Sequence, residues 1–306
     1  MATRAPTRGD WLRIGALSLI WGTVFALVKV ALEDTTPAYL TMMRLWVSAI
    51  LLYAWAVVNG APPPRLLPRF GGDAPALWPD PHWRWLAVLG LMTAAAPFTV
   101  IAIGQRAVPS ALAGILVATV PLMTAVLSQI FIRADAMTPR KAIGLAVGFA
   151  GVVLLIGPAA LGDLGGPAMW GQLLIVLGAF CYACAAVIAF RAPQMPADSS
   201  AAGMLLAAAV FVTPLGLWDA FHGPPPSARA LIAAAATGLG GSGVAMILYL
   251  QVVRSAGPSF TVLTNYMVPV VAMLTGALMG ERLDPLAFVA FGVILAGVWL
   301  AGRRRG

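Results

Sequence analysis

Acid is what this chain has least of. Asp and Glu total 11 in 306 residues, and charged residues of both signs make up only 10%. An ordinary soluble domain is about one-quarter charged, so this chain has too little polar surface to face water all round. Cysteine and histidine are nearly missing too. Cys181 and Cys184 fall inside one apolar run as Cys-Tyr-Ala-Cys, without the βαβ or zinc-ribbon setting that redox or zinc chemistry needs. They read as small buried residues. His82 and His222 sit at or beyond the ends of apolar runs. The sequence shows no nucleophile beside a base, no acid pair and no ligand cluster, so no enzyme, metal site or cofactor is expected.

Apolar residues reach 60% of the chain, with a mean hydropathy of +0.90. A helix needs about 20 mostly apolar residues to cross a bilayer core. Ten segments meet that need: 11 to 32, 38 to 58, 83 to 104, 109 to 132, 140 to 157, 168 to 190, 199 to 218, 229 to 253, 258 to 280 and 285 to 302. These runs are far longer than barrel strands, and lipid offers the backbone no hydrogen bonds, so an all-α integral membrane protein is predicted. The basic leader with Arg4 and Arg8 precedes a run too long for a signal-peptide core, which reads as a retained helix. The 59–82 connector, rich in Pro and Gly, reads as irregular.

Basic residues orient the spans, because Lys and Arg accumulate on the cytoplasmic side. With the N-terminus inside, fourteen fall inside: Arg4, Arg8, Arg13, Arg65, Arg69, Arg84, Arg133, Arg140, Lys141, Arg191, Arg254 and Arg303 to Arg305. Three fall outside: Arg106, Arg229 and Arg282. A missed or invented helix would scatter this asymmetry, so both termini are expected in the cytoplasm of a bacterial inner-membrane protein. The net charge of +8 is then a matter of topology, touching anionic lipid at the Arg tail, with no nucleic-acid partner implied.

The chain also resembles itself. Residues 139 to 154 lie against 285 to 300, sharing the opening Pro and an Ala-Gly-Val near the end, at an offset of 146. Each half carries a proline in its fourth helix, Pro121 and Pro269, and a Pro-Pro-Pro run after its second, at Pro62 and Pro224. Two five-helix halves, 1–157 and 158–306, are therefore expected. An odd number of spans per half forces the second to enter the membrane the opposite way round, a recurrent transporter plan with its site between the repeats.

The stretch Ile20-Trp21-Gly22-Thr23-Val24-Phe25-Ala26-Leu27-Val28-Lys29, with Pro37 and Arg44, resembles the opening of EamA-type members of the drug/metabolite transporter superfamily. Gly280-Glu281-Arg282-Leu283-Asp284-Pro285 and 292 to 298 resemble that family's repeat terminus; the first half departs from it, with Asp135 where a Glu-containing turn is usual. The resemblance spans nearly the whole chain and extends to YddG-type exporters of aromatic amino acids. It implies ten helices around a central cavity lined by the first, third, fourth, sixth, eighth and ninth, with the fifth and tenth set back. The function it implies is export of small organic metabolites as a monomer or weak dimer. Efflux of hydrophobic drugs is the alternative, although that usually wants an acidic cavity residue; a lipid-modifying enzyme would need polar groups at an interface that the short loops lack.

Ionisable residues inside spans are costly and default to functional candidates. Lys29 shares a face with Gly22 and Phe25 and is either a cation for a substrate carboxylate or a snorkelling partner of Glu33. Arg44 reads as a structural brace, neutralised by Asp34 or by helix-end carbonyls. Pro121 and Pro269 free the carbonyls of Val117 and Asn265 and mark candidate hinges or gates. Trp21, Phe25, Phe98, Tyr182, Tyr249, Asn265 and Tyr266 would supply an aromatic, weakly polar cavity. The spacing on the eighth helix places Ser242, Ala245 and Tyr249 on one face. Gly238 to Gly243 fits G-x-G-x-x-G, but no strand precedes it and no acid follows before Glu281, so it reads as a close-packing surface. With no Asp or Glu deep in a span, a facilitator or exchanger is expected, with no buried carboxylate carrying protons.

Overall fold

The computed structural model describes residues 6–64, 80–132, 138–162, 166–223, 225–261 and 263–302. Most of the 59–82 connector, the Asp135 turn and the Arg303–Arg305 tail lie outside the described residues. The helical stretches are α1 Arg8–Ala31, α2 Pro37–Val58, α3 His82–Gln105, α4 Ser110–Phe131, α5 Pro139–Gly162, α6 Pro167–Arg191, α7 Ala197–His222, α8 Ala228–Ala256, α9 Thr264–Leu278 and α10 Pro285–Gly302. No strand occurs among the described residues. Seven of these helices, α1 to α4 and α6 to α8, are long and apolar enough to cross a membrane.

The expected 258–280 span is broken. A four-residue helical turn, Pro258–Thr261, precedes α9, and the Leu263 amide bonds back three residues to the Phe260 carbonyl at 3.2 Å. This leaves α9 with 15 residues. The fourth stretch is interrupted as well. The amides of Ala118 and Thr119 bond back to Ile115 and Leu116, and the helix restarts at Val120 with Pro121 in its first turn. Proline is tolerated there because first-turn amides have no helical acceptor. Pro121 therefore sits beside the interruption, whereas Pro269 lies within continuous helix. Pro214 does so in α7.

Two helices contain π-helical turns, Leu91–Ala95 in α3 and Thr237–Val244 in α8. The packing pairs α5 with α10, α2 with α7, α4 with α9, α1 with α8 and α9, and α6 with α3 and α4. One end of the bundle gathers the start of α1 with the end of α8: the Asp10 carboxylate accepts from Ser255 Oγ at 2.6 Å and completes a capping box with Thr7. At the same end Arg254 pairs with Asp198 at the start of α7 (2.8 Å), and Arg191 donates to the Phe131 carbonyl (2.6 Å). The opposite end gathers the ends of α1, α3, α7 and α9 with the starts of α2, α4 and α8. There Glu33 pairs with Arg229 (3.1 Å), Asp34 accepts from Ser227 (2.6 Å), and Thr36 donates to Asp219.

Candidate functional site

A cavity of about 880 Å³ runs between the helices. Its wall is apolar and aromatic, and among its lining residues the one ionic side chain is Arg44 of α2. Neither α5 nor α10 contributes a described lining residue. The cavity extends to the exposed α6–α7 connector at Pro193 and Gln194. Toward the other end it stops at Val28 and Gln105, which are buried.

Arg44 is held on two sides. Its Nε donates to Ser242 Oγ at 2.9 Å, and its guanidinium carbon lies 3.6 Å from the centre of the Phe98 ring, a cation–π contact. Phe98 meets Tyr182 edge-on at 6.5 Å. The glycine-rich run of α8 makes this possible. A Cβ on Gly238 would fall 2.7 Å from the Arg44 carbonyl oxygen, so only glycine lets α8 approach the α2 backbone there. In the same run, the Gly241 carbonyl accepts from Trp21 Nε1 at 3.1 Å, which fixes the indole beside Tyr249, with ring centres 5.8 Å apart.

The structure brings Trp21, Phe25, Phe98, Tyr182, Tyr249, Asn265 and Pro269 together on the cavity wall. Lys29, Pro121 and Tyr266 do not line it. Tyr266 packs against the apolar cluster around α4, α6 and α10. The Lys29 ammonium donates to the carbonyls of Gln105 (2.6 Å) and Val108 (3.2 Å), where α3 hands over to α4. Glu33 is not its partner, since that carboxylate faces Arg229. The carbonyls at the end of α3 carry the negative pole of that helix and attract the ammonium. Asp34 likewise does not neutralise Arg44; it serves Ser227 at the bundle end. The role of Arg44 as a cavity residue was missed because periodicity gives a face but not what the face meets.

The sealed end is closed by charge on backbone. Glu281, in the turn after α9, accepts from Ser110 N (2.8 Å), Ser110 Oγ (2.9 Å) and Ala111 N (3.0 Å) and so caps α4. A Cβ on Gly276 would come within 2.6 Å of that carboxylate, so α9 needs glycine there to seat the cap. Gln105 Nε2 donates to the Phe25 carbonyl at 2.9 Å, tying α3 to α1 beside Lys29. Beyond this seal lies a second depression of about 740 Å³, bordered by Glu33, Asp34, Arg106 and Asp219.

An apolar helical bundle around a cavity with one open end is the architecture of a multi-pass membrane transporter. Residues 12–157 and 169–303 match the EamA-like transporter family model, and the chain belongs to that family. It is 29% identical over 291 residues to a protein of Escherichia coli strain K12 named "Uncharacterized inner membrane transporter YedA", covering 93% of this chain and 88% of that one. It is 27% identical over 296 residues to a "Probable terminal-alkyne amino-acid exporter" of Streptantibioticus cattleyicolor, covering 93% and 90%. A solved crystal structure superposes with a TM-score of 0.62 at 21% identity, covering 96% of this chain and 97% of that one, which speaks for the fold. A multi-pass protein of the inner membrane follows from the spans and these relatives, whose names point to a role other than catalysis.

Proposed function

We propose that this protein is a secondary transporter that exports small organic metabolites, foremost amino acids with aromatic or apolar side chains. It works by alternating access between two inverted five-helix halves, 1–157 and 158–306, with ten spans in all. The observation that carries this reading is the cavity, open at one end and sealed at the other, with an aromatic wall and a single cation. Export as the direction leans on the exporter named among the relatives.

Several features support the inverted halves. The main helix pairings recur when five is added to the first half's numbers and subtracted from the second's: α1 with α8 matches α6 with α3, and α1 with α9 matches α6 with α4. The π turns begin at Leu91 and Thr237, at the offset of 146 found in the sequence. Helix α1 ends where α6 and α8 begin, as opposed halves require. The family model also matches in two blocks divided near residue 158. The open end carries Arg13, Arg191 and Arg254, so the positive-inside rule makes it cytoplasmic, with both termini there and the cavity facing inward. Among the described residues no Asp or Glu lines the cavity, which fits a facilitator or exchanger better than a proton-coupled pump.

The test is counterflow of radiolabelled amino acids into proteoliposomes holding the purified protein. Saturable exchange of aromatic and large apolar amino acids is expected, without dependence on a pH gradient. Absence of flux across a broad amino-acid panel would sink the reading.

A further inference from the structure

Arg44 is a cation in an apolar cavity, and no carboxylate among the described residues pairs with it. Burying a charge without its opposite is expensive in low dielectric. The guanidinium is nonetheless held in one orientation, with Nε on Ser242 and one face on Phe98. Its two terminal nitrogens are absent from the buried unpartnered polar atoms, so they open onto the cavity. Two parallel N–H donors offered from a planar group are the complement of a carboxylate. Nothing comparable awaits an ammonium. The lining offers it only neutral acceptors, such as the Asn265 amide, and the faces of Trp21, Tyr182 and Tyr249.

We propose that Arg44 is the carboxylate-binding residue of this cavity, and that a carboxylate on an apolar or aromatic body is the obligatory part of its substrate while an α-ammonium is dispensable. The proposal rests on the transporter reading above and deepens it: the recognised class is hydrophobic monocarboxylates, of which amino acids are a subset. The bound carboxylate supplies the counter-charge that the fold withholds. Phe98 and Tyr182 then border the first carbons of the ligand, and Trp21 and Tyr249 complete the aromatic wall.

The test uses three probes of one shape on the full-length protein in detergent: phenylalanine, 3-phenylpropionate without the ammonium, and 2-phenylethylamine without the carboxylate. Ligand-induced thermal stabilisation gives apparent affinities, and competition in counterflow gives recognition during transport. In the unaltered protein the two carboxylates should bind within about threefold of each other, and the amine at least about tenfold more weakly, the loss of one charged contact. Arg44→Gln should abolish the preference, and Arg44→Lys, which keeps the charge without the fork, should restore part of it. Should Arg44→Gln fail to fold, the methyl ester of phenylalanine decides the matter on the unaltered protein and should bind as poorly as the amine. The proposal is overturned if amine or ester binds as well as the carboxylates, if Arg44→Gln keeps carboxylate affinity, or if neither carboxylate binds. Carboxylate binding without flux would overturn the transporter reading and leave this one standing; flux with equal recognition of the amine would do the reverse.

Discussion

The two ends of the cavity are held by different chemistry. At the sealed end, Lys29 and Glu281 each place a full charge on main-chain groups: two carbonyls for the lysine, and for the glutamate two amides with a hydroxyl. At the open end the cations stand at the margin of the bundle: Arg254, 51% exposed, pairs with the Asp198 side chain, and Arg191 reaches the Phe131 carbonyl at an exposed site. Charge on a fixed backbone donor loses little entropy and stands clear of water, whereas a half-exposed ion pair is weakened by solvent. The difference teaches which end is locked in this state. Opening the sealed end must break charged contacts on main-chain groups between the α9 turn and α4 and between α1 and the α3–α4 junction; widening the open end strains contacts whose cations are already half in water.

Three substitutions probe this contrast. Glu281→Ala should have the largest effect, since it strips α4 of three hydrogen bonds to a charged group, each worth on the order of 1.5–3 kcal/mol. In a background with Cys181 and Cys184 changed to Ala, a reporter cysteine in place of Val28 should become reactive to a membrane-impermeant thiol reagent from the sealed side. Unchanged protection there would refute the lock. Lys29→Ala should act in the same direction at roughly half the cost, leaving two carbonyls without their cation, and the same labelling assay reads it. The smallest effect on the seal belongs to Arg254→Gln, whose partner Asp198 lies at the far end of the bundle. Its melting temperature in detergent should fall, because the buried Asp198 carboxylate loses its counter-charge, while the sealed side should stay protected; labelling as fast as in Glu281→Ala would erase the distinction between the ends.

Much of the fold was legible because lipid leaves a helix no alternative, and run lengths report this directly. The breaks were not. Nothing in the apolar pattern around Ala118 or Leu263 says that the helix stops and restarts, since both pieces remain hydrophobic. The prolines pointed to the neighbourhood, with Pro121 marking the interruption at a short remove. Side-chain faces were legible wherever the period is 3.6. In α8 the face is offset by one position: Ser242, Met246 and Tyr249 line the cavity, a spacing of four and three that a 3.6 period allows as readily as the expected three and four, while Ala245 is buried. The two cations were harder still. Lys29 and Arg44 both read as charges inside spans, and their acceptors, main-chain carbonyls for one and a hydroxyl with an aromatic face for the other, leave no mark in spacing or in complementary charge. The rejected Gly238–Gly243 motif proved a packing surface as expected, and its packing is what seats Ser242 beside Arg44.

The Lys29 contact has a consequence for how the sequence can drift. Its acceptors belong to the main chain of Gln105 and Val108, and every residue type presents the same carbonyl. Replacing the Val108 side chain therefore leaves the acceptor in place, and no compensating change at the α3–α4 junction is needed to preserve the closure. The burden of inheritance falls on one lysine and on the backbone path that faces it, so relatives can differ widely at this junction and still shut in the same way.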